Sequence, residues 1–271
     1  MKVGRAIVLR INHKDNIANM LAIRLEDHTN TVTTLVKKLF NLEDEFLKTC
    51  LLEASRQHDK YKPNRFGLYN GEVGFRRHPY LLSFTDFEGL SNKVAVGIAT
   101  GIGREHHFMN IRDMNNFLYT IALVKSYTKA KLSLIRNYVL TGVALLHIAD
   151  MIAGFIEHNI MNLIALEQLG IKLAEKGMKD SNSLERIEGY LPYVIQFTRN
   201  GASVHFYGFN ELLSKEVMEG MLTLSLRYGV YHLKCSVGKR GKLIIDNFSF
   251  IREYPVSLSI THKRNLIRGV I

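Results

Sequence analysis

The apolar positions of the chain change period several times, and each change marks an element. About Met1 to Asn12 is β-branched and partly alternating, which predicts a strand. From about Leu25 the spacing turns helical. Val32, Leu35, Val36 and Leu39 share one face, and Phe46, Cys50 and Ala54 carry a second helix up to His58. Pro63, Gly67, Gly71 and Gly74 predict a loop-rich stretch, and helical spacing returns around His78 to Phe84. Gly97, Gly101 and Gly103 interrupt it and predict a loop ahead of His106-His107. From Met114 to about Lys176 the chain reads strongly helical, and Gly177 to Ser183 reads as a linker. Tyr193–Phe197 and Ser203–Tyr207 flank Asn200-Gly201, a hairpin signal. Glu211 to Arg227 is helix-like, and a second hairpin joins Val230–Val237 to Leu243–Phe250 through Gly238-Lys239-Arg240-Gly241. The expectation is a mainly α fold: a helical core over residues 1–180 and a small, basic, β-hairpin-rich subdomain over 181–271. The N-terminal strand is free to pair with that C-terminal sheet.

Composition adds a charge and removes several classes. The 271 residues are 46% hydrophobic, enough for a sizeable core. The net charge of +11 favours an anionic partner, nucleic acid or a membrane surface. Cys50 and Cys235 are far apart in sequence, which excludes a disulfide framework and a cysteine-rich zinc site and suits a reducing cytoplasm. The first ten residues hold no apolar run of signal-peptide length. Tyr138 to Ile156 would satisfy a hydropathy window, but His147 and Asp150 lie inside it, and charges within a spanning helix are costly. A buried core helix in a soluble, cytoplasmic protein with no membrane partner is the expectation.

The candidate chemistry lies in an ordered set: His28, His58-Asp59, His78, His106-His107 and Asp150. Imidazole and carboxylate together suit first-row transition ions. These ligands are too many for one ion that keeps an open position, and about right for two ions sharing a carboxylate. His58-Asp59 ends a helical run, where adjacent side chains diverge by ~100° and can serve different ions. Asp150 is an acid in an apolar helix and needs a cation or hydrogen bonds there. Each histidine alone reads as an ordinary structural or surface residue; the order of the set carries the signal.

That order resembles the HD domain of the type I CRISPR interference nuclease, in particular its stand-alone form encoded apart from the helicase. His58-Asp59-Lys60-Tyr61-Lys62 stands where the family reads His-Asp-x-Gly-Lys, so Lys62 matches and Tyr61 departs. Phe66 falls near a family aromatic. His106-His107 matches the histidine pair, with Phe108 in place of a common glycine, and Leu146-His147-Ile148-Ala149-Asp150 matches the closing apolar-Ala-Asp motif. The likeness spans about residues 20 to 160.

The resemblance implies an HD-type helical core and two divalent ions (Mn, Ni, Co or Fe, with Mg an alternative). His28, His58, Asp59 and Asp150 would hold one ion. Asp59 as bridge, with His78, His106 and His107, would hold the other. Asp59 and Lys62 would be catalytic, Lys62 touching the scissile phosphate. The implied activity is hydrolysis of single-stranded DNA in CRISPR interference, with a separate helicase and an RNA-guided surveillance complex as partners.

Arg76, Arg77 and Arg104 adjoin the proposed ligands and suit flanking phosphates. Tyr231, Phe248 and Phe250 lie among basic residues and either stack on bases or fill the small sheet's core. The competing functions are an HD phosphohydrolase of nucleotides or cyclic nucleotides, and a non-catalytic module that binds nucleic acid or a partner.

Overall fold

The protein is described here from a computed structural model that covers residues 1–62, 66–69, 72–75, 79–107, 114–170, 193–198, 201–207 and 213–263. Two N-terminal strands, β1 (Val3–Asn12) and β2 (Ile17–Arg24), precede helices α1 (Leu25–Leu39) and α2 (Glu45–Gln57). A short hairpin, β3 (Phe66–Tyr69) and β4 (Glu72–Phe75), leads through two 3-10 turns to α3 (Lys93–Glu105), α4 (Met114–Thr128) and α5 (Leu132–Leu169). The chain closes with β5 (Tyr193–Thr198), β6 (Gly201–Tyr207), the short α6 (Lys215–Glu219), β7 (Met221–Val237) and β8 (Leu243–Lys263).

These strands correct the expectation of a mainly α protein. One six-stranded sheet runs β1-β2-β7-β8-β6-β5, so both ends of the chain build the same layer beside the helices. The fold is mixed α and β. β2 pairs antiparallel with β7, Ile23 opposite Val230 and Ala18 opposite Cys235. β2 also alternates: Leu21 and Ile23 face the helices, while Ala18, Met20 and Ala22 pack with Leu233 and Cys235 on the other face. Two apolar faces, one of them under a helical layer, make this sheet a full layer and not an appendage.

Three local expectations also change. The stretch expected to be helical from Glu211 to Arg227 is helix only over the five residues of α6, and β7 starts at Met221. Among the described residues, the region expected to be helical around His78 to Phe84 holds 3-10 turns, at Pro79–Leu81 and Phe84–Phe87. Gly97, Gly101 and Gly103 lie inside α3. Gly97 and Gly101 admit neighbouring helices, and Gly103 admits Leu82: a Cβ at Gly101 would sit 2.9 Å from Val139 Cγ2 of α5. The linker expected at 177–183 and Asn200 lie outside the described residues.

Helix α5 is the spine. It runs 38 residues and ends at Gly170, whose left-handed backbone (φ 60°) caps the last turn. Ile135, Val139, Leu146, Ile152, Ile156, Ile160 and Ile164 are buried at helical spacing. Residues 132–167 are long and apolar enough to cross a membrane, yet 72% of the most apolar window is covered by the rest of the protein, as for a core helix. Where α3 crosses α5, Gly142 faces Ile102, and a Cβ there would stand 2.6 Å from Ile102 Cγ1. Overpacking of this kind costs roughly 1–3 kcal/mol. Gly142→Ala is expected to destabilise by about that amount in chemical denaturation; a variant at least as stable as wild type would contradict this packing.

Candidate metal centre

Four elements deliver the candidate ligands to one interior point. His58 caps the C-terminus of α2 (φ −51°, ψ −36°) and His106 caps that of α3 (φ −59°, ψ −15°). Both use the same local device. His58 Nδ1 lies 2.8 Å from the carbonyl of Ser55, three residues back, and His106 Nδ1 lies 2.7 Å from that of Gly103. A carbonyl only accepts, so Nδ1 donates and the neutral ring presents the Nε2 lone pair. The two rings meet edge to face, 4.8 Å between centroids. Two helix C-termini, each the negative end of its dipole, therefore face the same point and favour a cation there.

His28 comes from the first turn of α1 and is wholly buried. Its Nε2 lies 3.1 Å from Asp150 Oδ1 and 3.2 Å from Asp59 Oδ2, while Nδ1 lies 2.9 Å from Glu157 Oε1. Burial opposes a charge on this ring, but Glu157 and hydrogen bonds with Asp150 and Asp59 outweigh it and push its pKa up to about 10. Burial holds His58 below its ordinary value against the pull of Asp59 and Asp150. His106 lies well below, through burial and the neighbouring rings of His107 and His58. Burial also opposes ionisation of Asp150, yet Arg5 and His28 hold its carboxyl well below the usual range.

Three overlapping groups have ligand atoms within 4.8 Å of one another: His28, His58 and Asp150; His58, Asp59 and His106; and His106, His107 and Asp150. The overlap groups His58 with His106 and His107 with Asp150, a mixture of the two ligand sets that the family resemblance implies. His107 is exposed and lies 3.9 Å from His106 by ring centroid, so it marks the side on which the cluster meets solvent. The donor set, imidazole with carboxylate, is one that could hold a transition ion. The buried Nε2 of His58 makes no hydrogen bond among the described residues, as expected of a nitrogen reserved for an ion.

Lys62 is buried, not solvated, and its ammonium donates to Asp59 Oδ2 at 2.6 Å. Arg104 braces the helices: it donates to the Leu82 carbonyl at 2.8 Å and to Thr120 Oγ1 at 3.3 Å. His78, Arg76 and Arg77 lie outside the described residues.

Sequence reasoning missed Arg5, Glu157 and His147. Strand β1 brings Arg5 onto α5, where Nη2 donates to Asp150 Oδ1 at 2.6 Å and Nε lies 3.5 Å from Glu157 Oε2. Gly154 makes room, since a Cβ there would lie 3.2 Å from Arg5 Nη2. His147 Nδ1 lies 3.0 Å from the His106 carbonyl, and its buried Nε2 makes no hydrogen bond among the described residues. The signal for Glu157 and His147 was available: 147, 150 and 157 fall on one helical face, so Asp150 has polar companions in register. Nothing in the sequence links Arg5 to them.

Glu157 orients His28 from behind and raises its basicity, as an outer carboxylate does for a ligating imidazole. Glu157→Gln keeps the shape and removes the charge. Its affinity for Mn2+, read by calorimetry on protein with wild-type circular dichroism, is expected to fall about ten-fold or more. An unchanged affinity would contradict this role.

No protein-family model, curated protein or solved structure matches the chain.

Proposed function

We propose that the protein is a metal-dependent phosphodiesterase that cuts single-stranded DNA, with two divalent transition ions held by His28, His58, Asp59, His106, His107 and Asp150. The carrying observation is the convergence of His28, His58 and His106 with Asp59 and Asp150 in overlapping groups no wider than 4.8 Å. Each group is compact enough to hold one ion, and the overlap of the groups would let two ions share ligands. When bound, such ions supply Lewis acidity that lowers the pKa of a water and offsets charge on the phosphoryl oxygens.

The chain's own residues do the rest. The carbonyls of Ser55 and Gly103 fix the tautomers of His58 and His106, and Glu157 fixes the orientation of His28. Asp59, grouped with His58 and His106, would be the carboxylate shared between the ions. Lys62, 2.6 Å from it, holds a positive charge beside the reacting phosphate. Arg5 keeps Asp150 ionised and aimed.

A polymeric substrate is favoured by the net charge of +11. The likeness of the ordered motif to the HD nuclease of CRISPR interference supports DNA, made single-stranded by a separate helicase that works with an RNA-guided complex in the cytoplasm.

The test is cleavage of labelled single-stranded DNA with Mn2+, Ni2+, Co2+, Fe2+ or Mg2+, beside mononucleotides and cyclic nucleotides. Wild type is expected to cut the strand and to lose activity on chelation. Asp59→Asn, which keeps an acceptor for Lys62, is expected to fall to background while its thermal unfolding stays cooperative. An undiminished rate in that variant would rule out the site. Turnover of nucleotides but not of DNA would move the activity to the phosphohydrolase class.

A further inference from the structure

A surface outside the metal centre joins a basic cleft to an exposed aromatic pair, and a β-bulge creates the pair. Along the β7–β8 ladder Val230 faces Arg252, but Tyr231 faces Phe250, so Ile251 is skipped. The shift sets Phe250 and Phe248 opposite Tyr231 and Leu233, on the sheet face turned away from the helices. Tyr231 is partly buried, with its ring centroid 5.3 Å from that of Phe250 and 6.3 Å from that of Phe248, both at steep angles. Phe250 is 54% exposed and Phe248 48%. Tyr231 is thus a core residue in part, whereas the two phenylalanines are left with much of their surface in water.

Arg24 links these rings to the cleft. Its guanidinium carbon lies 5.8 Å from the centre of the Tyr231 ring. It is held by two bonds to Asp27, at 3.1 and 3.2 Å, and Asp27 in turn accepts the Gly229 N–H at 3.0 Å. Gly229 is where the parts crowd together: a Cβ there would stand 3.2 Å from Tyr231 and 3.3 Å from Asp27. Arg24 also lines a cleft of about 460 Å3 with Lys2, Arg56 and Lys60; Arg56 donates to Glu53 and Lys60 to Asp86, both at 2.8 Å or less, and Glu26 is the acid in the lining among the described residues. Its walls include Thr29 and Gln57, the chain neighbours of His28 and His58.

We infer that this cleft and the Tyr231–Phe248–Phe250 face form a track for single-stranded DNA. Phosphates would lie along Lys2, Arg24, Arg56 and Lys60, and unpaired bases would stack on Phe248 and Phe250. The assignment rests on the reading of the metal centre as a nuclease of single strands. Four basic side chains lining a cleft beside two half-exposed aromatic rings define the occupant, with phosphate taking the place of a carboxylate partner. A duplex satisfies only half of this, because its bases are already stacked and paired.

The chain contains no tryptophan, so Phe250→Trp installs a single indole on the track. The full-length variant is titrated in EDTA with a dye-labelled oligothymidylate of about 20 nucleotides. Indole fluorescence is expected to be quenched in step with the rise in anisotropy. Met221→Trp, at a position 67% exposed and elsewhere on the sheet, is expected to stay unquenched. The double variant Phe248→Ala/Phe250→Ala is expected to bind about ten-fold more weakly or worse. A strand that binds without quenching the indole at 250, or equal quenching at 221, overturns the track. Metal-dependent cutting with an unquenched indole removes the track and leaves the nuclease. Quenching without cutting keeps the track and removes the nuclease. A strand that neither binds nor is cut overturns both.

Discussion

Buried negative charge governs this structure. Asp59, Asp150 and Glu157 are each no more than 2% exposed, and each is an ionisable carboxyl in a protein interior. Such a group must be paired, hydrogen-bonded or bound to a cation, because desolvation of a bare carboxylate is prohibitive. The fold answers with Arg5 from β1, His28 from α1 and Lys62 from the turn after α2. The placement of β1 against α5, and of α1 against both, follows from that requirement as much as from apolar packing. A cluster rich in acids and neutral imidazoles, partly offset by basic side chains, is also what a divalent ion would find suitable.

Two helices end at the cluster in the same way. At the termini of α2 and α3 a histidine takes the capping position and bonds its Nδ1 to the carbonyl three residues earlier. The device sets the tautomer without help from distant residues, so it survives small shifts of one helix against the other. His28 works differently, through Glu157 on α5, and so depends on long-range packing. The site therefore combines two locally fixed ligands with one fixed by tertiary structure.

Much of this was legible in the sequence, for reasons that differ by residue. His28, His58, Asp59, His106, His107 and Asp150 stood out by their order along the chain, Asp150 also as an acid in an apolar helix, and the structure brings them together. Arg5 was invisible, because a strand residue's partner across the fold leaves no local pattern. The glycines of α3 misled, since a glycine admitted for close helix packing looks like a glycine in a loop until the facing helix is known. The size of the sheet was also hidden. β2 is buried on both faces, so it reads as an unpatterned apolar run, and its partner β7 lies some two hundred residues away in sequence.

The central claim is that the histidines and aspartates of this cluster hold metal. The most direct measurement is anomalous diffraction from crystals of the protein soaked in Mn2+, collected on both sides of the manganese edge. The account predicts strong anomalous peaks within coordination distance of His58 Nε2, His106 Nε2 and the carboxylates of Asp59 and Asp150. Well-diffracting soaked crystals with no peak at the cluster, or with peaks only at surface carboxylates, would contradict it.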